Sequence, residues 1–547
     1  MSKYPLILVD KVKHGTQFVE DGAHFDFVVV GSGFGGSVSA LRLAEKGYSV
    51  LVVEKGRRLT EDDFPHTNWN LKRYFWFPLL GFRGLFKMTL FRYLTVFSGV
   101  GVGGGSLVYG NTLPIPPDSF FRAPSWATLA NWKDELTPFY ELAHKMLGVC
   151  TQPKETLSDR ILRQVAVDLD REDEFEFNPV AVYFGEPEVT VEDPFFDGEG
   201  PQRTGCCFCG ACMTGCRYGA KNSLDRNYLY LAERKGVRIQ PDTQVTAVRP
   251  RQEGGYRIEA TLHQGWLRNT ELTFTADRVV FAGGVLGTVD LLLQMRADPN
   301  GLPNLSSRVG DNVRTNSEAL IGAMSTRNDM DMTEGIAITS ILQTDEHSHI
   351  EPFRFGSGSG FYRILLFPHA SDGTIVARIG YAIRNVLSHP LRWLKVMVWP
   401  NWARYSLLLL YMRTHDSTMA MRRGRSPFTL FTKGLFARIS TGEPPRASMP
   451  EASELAERVA DKVDGVTASL LNETLLNAPS TAHILGGSCM ASSPEEGVID
   501  TNHRVFGYEG LYVCDGSAMS ANPGVNPSLT ITAMTERAMS LISPKEG

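Results

Sequence analysis

No stretch of this 547-residue chain reaches the roughly 18 uncharged apolar residues that a bilayer-spanning helix requires. The chain also lacks a dominant charge. Its 55 Lys and Arg oppose 60 Asp and Glu, a net −5, which leaves no electrostatic footprint for nucleic acid. The start, MSKYPLILVDKVKHG, has no basic region followed by an apolar run and a small-residue cleavage site, so it does not read as a secretory leader. Cysteine is scarce, at eight residues. Without a leader these are read in a reducing, cytoplasmic compartment, where metal or redox roles outrank structural disulfides. Internal repeats and low-complexity tracts are absent. Glycine, by contrast, is abundant at 52 residues, and much of it is concentrated in short motifs, as expected where backbone must approach a ligand closely.

The first of these motifs has a readable setting. Phe25–Val30 (FDFVVV) is an apolar run of strand length, followed at once by GSGFGG and then by helical spacing through Val38, Leu41 and Ala44. Gly47 ends that helix, and Ser49–Val53 supplies a second strand. Strand, glycine turn, helix, strand is a βαβ unit whose parallel strands read as continuous hydrophobic runs. Similar strand-turn-helix signals recur at Arg278–Gly284 before Leu286–Met295, and at Gly510–Asp515 before Ser528–Leu541. The segments 116–204 and 326–479 lack such turns and are richer in aromatics, Pro and charge. The pattern predicts mixed α/β and α+β architecture: a Rossmann-like dinucleotide domain (22–115, 205–325 and 480–547) interrupted by a second domain (116–204 and 326–479).

Gly31, Gly33 and Gly36 form G-x-G-x-x-G directly after the first strand. The first glycine makes the tight turn, the second admits a pyrophosphate against the backbone, and the third lets helix and strand pack closely. The helix N-terminus adds N–H donors and positive dipole. Glu54, at the end of the second strand, is placed to accept ribose hydroxyls. Val96–Asn111 (VFSGVGVGGGSLVYGN) then crowds five glycines between Gly99 and Gly105. A backbone lying against a flat or charged ligand needs such a run, which favours FAD over NAD.

These two segments, with Val280–Leu293 (VFAGGVLGTVDLLL), resemble the signatures of the glucose–methanol–choline (GMC) oxidoreductase family. GVGGGSLVYGN, AHILGG and GVNPSLTITAMTERA are most similar to its cholesterol oxidase branch of mycobacterial type. The resemblance spans roughly 22–547. It implies an FAD domain plus a substrate domain with a mixed β-sheet, and hydride transfer from an alcohol carbon to flavin N5. By motif position, Gly31, Gly33, Gly36 and Glu54 would hold the ADP part. Gly103, Gly104, Ser106 and Asn111 would lie along the isoalloxazine and pyrophosphate. Val245 would meet the adenine, and Asp515, Gly516, Asn526 and Pro527 would close the flavin's far side. His483, in TAHILGG, corresponds to the family's active-site histidine, and Asn526 to the residue that hydrogen-bonds the substrate oxygen. With an ordinary pKa of about 6.5, a histidine exchanges protons near neutrality. Glu351, in HIEPFRFGSGSGF, is the third catalytic candidate, as base or proton carrier; a surface carboxylate paired with Arg354 is the alternative. Tyr109 stands where the branch carries Asn.

Cys206, Cys209, Cys212 and Cys216 follow the C-x2-C-x2-C-x3-C spacing of bacterial ferredoxins, with Arg217 in place of the usual proline. A [4Fe–4S] cluster, a zinc site, a disulfide-bonded hairpin and reduced thiols in a glycine turn all remain open. Leu71–Phe97 and Ala377–Met412 combine aromatics with Lys and Arg and contain no acid. They read as core helices with snorkelling bases, or as a lipid-facing entrance that makes peripheral membrane contact. The functional expectation is FAD-dependent oxidation of a hydrophobic alcohol, a steroid 3β-hydroxyl first, with oxygen or an electron carrier as acceptor. The rivals are a dehydrogenase of long-chain or terpenoid alcohols working through an iron–sulfur cluster, and a non-redox or light-driven flavoenzyme of the same fold.

Overall fold

The computed structural model describes residues 18–265, 268–370, 373–415, 417–429, 431–440 and 445–546. The opening segment read above for a leader, residues 1–15, lies outside them.

The apolar run of the first strand, His24–Val30, becomes the middle of a seven-stranded sheet because both of its faces are covered. Val50–Val53 lies parallel to it on one side and Asn269–Phe281 on the other. Beyond Val50–Val53 comes Arg238–Gln240, also parallel. Tyr256–His263 and Thr243–Pro250 add antiparallel ribbons on the far side. Asn269–Phe281 is 13 residues long and changes partners along its length: its first half pairs with Tyr256–His263, while Val279–Phe281 also pairs with Leu511–Val513. Helices Phe34–Glu45, Gly284–Ala297 and Ser528–Ser540 each start just past a strand of this sheet or its following loop. The three glycine-turn signals therefore converge from sequence positions hundreds of residues apart.

A second, mixed-length sheet of seven strands is antiparallel at its core. Its strand Ala319–Ser325 pairs with the central Ser406–Arg413 and with Gly465–Leu470, and Ser348–Phe353 lies against the other edge of Ser406–Arg413. One face buries Ile321, Ala323, Leu407 and Leu409 against the helix Pro450–Lys462. Leu320, Gly322, Leu408 and Leu410, which alternate with them, line a cavity. This is the period-two logic of a strand whose two faces have different duties. Among the described residues no helix is long and apolar enough to cross a membrane.

Candidate active site

The cavity has a volume of about 570 Å³ and is walled by segments from the two sheets. Its glycine wall was legible in the sequence. Gly31 adopts φ 104°, and a Cβ there would run into the Ala282 carbonyl, so only glycine fits the turn. A Cβ on Gly36 would meet the Gly31 carbonyl, which is the close helix–strand packing expected of it. Gly33 differs: nothing of the protein lies within 4 Å of its missing Cβ, and it lines the cavity. Gly104, at φ 53°, comes so near that a Cβ on it would lie 2.7 Å from the Gly33 Cα. Two glycine loops 70 residues apart thus form one cradle of bare backbone.

Glu54 is buried at the cavity wall and accepts from the Ser32 amide (3.1 Å), the Ser32 hydroxyl (2.8 Å) and the Gly56 amide (2.8 Å). Val245, Gly516, Asn526 and Pro527 also line the space. Gly103, Ser106, Asn111 and Asp515 stand behind the lining, where they shape it. The Ser106 hydroxyl donates to the Gly103 carbonyl at 2.7 Å and accepts from the Leu224 amide at 3.0 Å. Asn111, at φ 71°, faces the buried thiol of Cys212. Asp515 accepts from Thr288 and from the amide and hydroxyl of Ser517, fixing the turn that carries Gly516. Two further cations on the wall were not anticipated, Lys55 and Lys87. The Lys55 charge, together with burial, drives the Lys87 pKa down to about 7.

At the end of the cavity nearest the second sheet, His483 presents its ring. Its Nδ1 lies 2.9 Å from Oε1 of Glu318, a carboxylate that sequence reading missed. Glu318 is fully buried just ahead of the strand Ala319–Ser325, and it also accepts from the Thr481 hydroxyl at 2.9 Å. The Thr481 hydroxyl in turn accepts from the His483 amide at 2.9 Å, which fixes the loop. Burial alone would lower the His483 pKa, yet the charge and hydrogen bond of Glu318, with a smaller contribution from Glu351, carry it above the ordinary value. Nothing in NSEALIG marks Glu318, because its partner lies 165 residues away.

Glu351 proves to be no surface carboxylate. It is completely buried, and its two oxygens accept from Asn526 Nδ2 (3.3 Å) and Asn178 Nδ2 (3.4 Å). Arg354 bonds to Thr156, Thr339 and the Ser158 hydroxyl instead. Burial pushes the Glu351 pKa up to about 7, against the opposing pull of His483, Asn526 and Asn178. Glu351 does not line the cavity; it stands one layer back, behind Asn526.

Among the described residues no group of three or more His, Cys, Asp or Glu side chains is arranged to hold a metal ion, and all eight cysteines are free thiols. Neighbouring segments hold the backbone of the cysteine loop. Gly210 donates to the Gly335 carbonyl (2.7 Å), Gly335 to the Phe208 carbonyl (2.8 Å), and Cys206 to the Tyr183 carbonyl (3.1 Å). Cys206, Cys212 and Cys216 pack as small apolar groups with Val180, Val182 and Ile336. Burial raises the thiol pKa of Cys209 and Cys212 to about 11. Lys221 anchors the loop from within: its buried ammonium donates to the carbonyls of Leu107 (3.2 Å), Tyr109 (2.9 Å) and Cys212 (2.9 Å). Tyr109, the departure from the family pattern, lines the cavity and donates to the Asn222 carbonyl at 3.0 Å.

The chain is similar to known proteins over most of its length. Two family profiles described as GMC oxidoreductase match residues 201–315 and 434–535, and one described as an NAD(P)-binding Rossmann-like domain matches residues 29–66. A cholesterol oxidase of Mycobacterium tuberculosis (strain ATCC 25618 / H37Rv) is 42% identical over 530 residues, covering 94% of this chain and 91% of that protein. A cholesterol oxidase of Acinetobacter baumannii is 40% identical over 530 residues, with 95% of each chain covered. The crystal structure of pyridoxine 4-oxidase from Mesorbium loti superimposes with a TM-score of 0.61 at 16% identity, over 94% of this chain and 98% of that one, a likeness of fold. On the fold, the cavity and these relatives together, the chain belongs to the GMC oxidoreductase family.

Proposed function

We propose that the protein oxidises a hydrophobic alcohol, a sterol 3β-hydroxyl first among them, to the carbonyl with FAD as cofactor and dioxygen as final acceptor. The balanced reaction is secondary alcohol plus dioxygen giving ketone plus hydrogen peroxide. The observation that carries this reading is the pairing of Glu318 with His483 at a cavity whose opposite wall is bare glycine backbone.

The residues present suit FAD. The open face of Gly33, the Phe34–Glu45 helix that starts beside it and the wall cations Lys55 and Lys87 suit a diphosphate. Glu54 suits a ribose, and the loops of Gly104, Gly516 and Pro527 suit a flat ring. We assign the glycine-bearing sheet to cofactor binding and the antiparallel sheet to the substrate. When bound, the flavin supplies the two-electron acceptor for the alcohol's hydride.

The chain's own groups handle the proton. Glu318, with Oε1 2.9 Å from His483 Nδ1, favours the proton on Nδ1 by its charge and leaves Nε2 as the basic nitrogen. Nε2 takes the hydroxyl proton as the C–H bond breaks, and the imidazolium so formed is stabilised by the buried carboxylate. The Asn526 amide orients the substrate oxygen, and Glu351 behind it holds that amide in place. Leu320, Leu408, Leu410, Phe353 and Phe355 provide the apolar surroundings that a fused-ring or long-chain alcohol requires. An alcohol of this kind partitions into bilayers and reaches the enzyme from a lipid surface.

Anaerobic titration of the flavoprotein with a panel of alcohols tests the proposal. Sterols should bleach the flavin and air should restore it with one peroxide per turnover. A flavin left oxidised by every alcohol would overturn the reading.

A further inference from the structure

The helices Ile375–Ser388 and Pro390–Val398 are inside out. Of the 27 large apolar side chains that stand exposed among the described residues, ten lie between 375 and 398. Val376, Ile379, Ile383 and Leu387 follow one another at near-helical spacing on the outer face of the first helix, and Leu391, Leu394 and Val398 on that of the second. Val376, Leu387 and Leu391 are 79%, 72% and 79% exposed. The inner face of the first helix buries only Arg378 and Ala382, with the guanidinium donating to the carbonyls of Gly373 and Thr474. A surface helix of a soluble protein has the opposite polarity.

Charge gives this face a direction. From 373 to 415 the sequence contains six Lys or Arg and no Asp or Glu. Arg384 and Arg392 are exposed beside the apolar stripe, Arg392 also pairing with Asp464 at 2.8 Å. The neighbouring acid-free stretch 64–117 adds exposed Phe77, Leu79 and Leu80 together with Lys72 and Arg73. Both segments pack into one aromatic cluster, where Trp393 and Val396 meet Tyr74, Phe86, Tyr362 and Trp402. Phe86, Tyr362 and Trp402 also line the cavity. The apolar face is therefore continuous, through one layer of side chains, with the substrate space.

We propose that the two helices dock in the interfacial layer of an anionic bilayer, apolar stripe in the acyl boundary and bases against lipid phosphate, presenting the cavity's apolar end to the lipid. This rests on the reading of a hydrophobic substrate and names the surface that delivers it. Interfacial helices combine an apolar face with flanking Lys and Arg in this way, and their binding scales with buried apolar area and with attraction to anionic lipid.

The test is sedimentation of the holoprotein with sucrose-loaded vesicles that contain no alcohol substrate, so its outcome is independent of turnover. Vesicles of phosphatidylcholine with about one-third phosphatidylglycerol should pellet the protein, with phosphatidylcholine alone pelleting less and added salt reducing the difference. The triple variant Val376→Glu, Leu387→Glu, Leu391→Glu should lose at least about tenfold in vesicle affinity, while retaining flavin content, melting temperature and turnover of detergent-dispersed alcohol. Three results would overturn the proposal: no pelleting of the wild type, equal pelleting of the triple variant, or a wild-type dimer that the triple variant converts to monomer. The last would assign the face to a second copy of this chain.

Discussion

At the scale of single residues the site rests on one ion pair between chain segments 165 residues apart. If Glu318 sets the His483 tautomer, its removal should alter proton affinity as well as rate. On the proposed function His483 acts unprotonated, so kcat/KM should rise with pH through its pKa. Glu318→Gln deletes the charge that raises this pKa. The acid limb of the profile should therefore move to lower pH while kcat falls. A variant that lost rate with an unmoved limb would show Glu318 to be merely structural. His483→Ala should keep FAD yet slow anaerobic flavin reduction by about 10²–10⁴-fold, the usual range for general acid–base catalysis. Less than a threefold change would place the proton acceptor elsewhere.

Legibility differed sharply between these residues. His483 and Asn526 sit in motifs with neighbours that mark them. Glu318 sits in none, and its meaning comes only from tertiary pairing. Glu351 was visible as a candidate, but its burial was not, because the strand Ser348–Phe353 alternates too little for its inward face to be read.

At the scale of elements, the glycine turns make two separable demands. Gly31→Ala forces a side chain against the Ala282 carbonyl in a left-handed conformation and should destabilise the fold by about 1–3 kcal/mol. Gly33→Val meets no protein atom at Cβ, so its melting temperature without cofactor should match the wild type while FAD binding is lost. Flavin absorbance and thermal denaturation of the two variants separate these roles, and full flavin in a well-folded Gly33→Val would sink the assignment of the pyrophosphate site.

The cysteine loop teaches the converse lesson. Ferredoxin-like spacing fixes how far apart four thiols lie along the chain, but not where they point. Here the loop's amides are already engaged by Gly335 and Tyr183, and Lys221 draws it onto the glycine wall. Metal analysis of protein purified anaerobically should find neither iron nor zinc in stoichiometric amount. Lys221→Met, which leaves three buried carbonyls without their donor, should cost about 2–4 kcal/mol in stability. A stoichiometric metal lost in Cys212→Ser would reverse this account.

At the scale of the whole molecule, the class of fold was legible because each strand-turn-helix unit is local and carries its own glycine signal. The order of strands in the sheets was not, since it depends on pairings such as Val279–Phe281 with Leu511–Val513. The exposure of the Ile375–Ser388 helix was one of two readings left open: apolar spacing states that a face is hydrophobic, and only the packed structure tells which face meets solvent. Since the cavity draws lining from residues near 31, 104, 245, 284 and 516, a ligand held there would tie distant segments together. Added FAD at about 100 times its dissociation constant should stabilise the apoprotein by about 2.7 kcal/mol, read as a concentration-dependent rise in melting temperature. An unchanged melting temperature would mean that the apoprotein does not bind FAD.

The pairing of Leu511–Val513 beside Asn269–Phe281 also sets a timetable. The first βαβ unit, complete by Val53, leaves the ribosome long before the loop of Gly516 and Pro527 exists to close the cavity. At about 5–20 residues per second, the growing chain waits roughly half a minute to a minute and a half with its glycine cradle open on one side. On the proposed function, cofactor capture at this cavity would be a late event in synthesis, since the wall of Gly516 and Pro527 is among the last parts of the chain to be made.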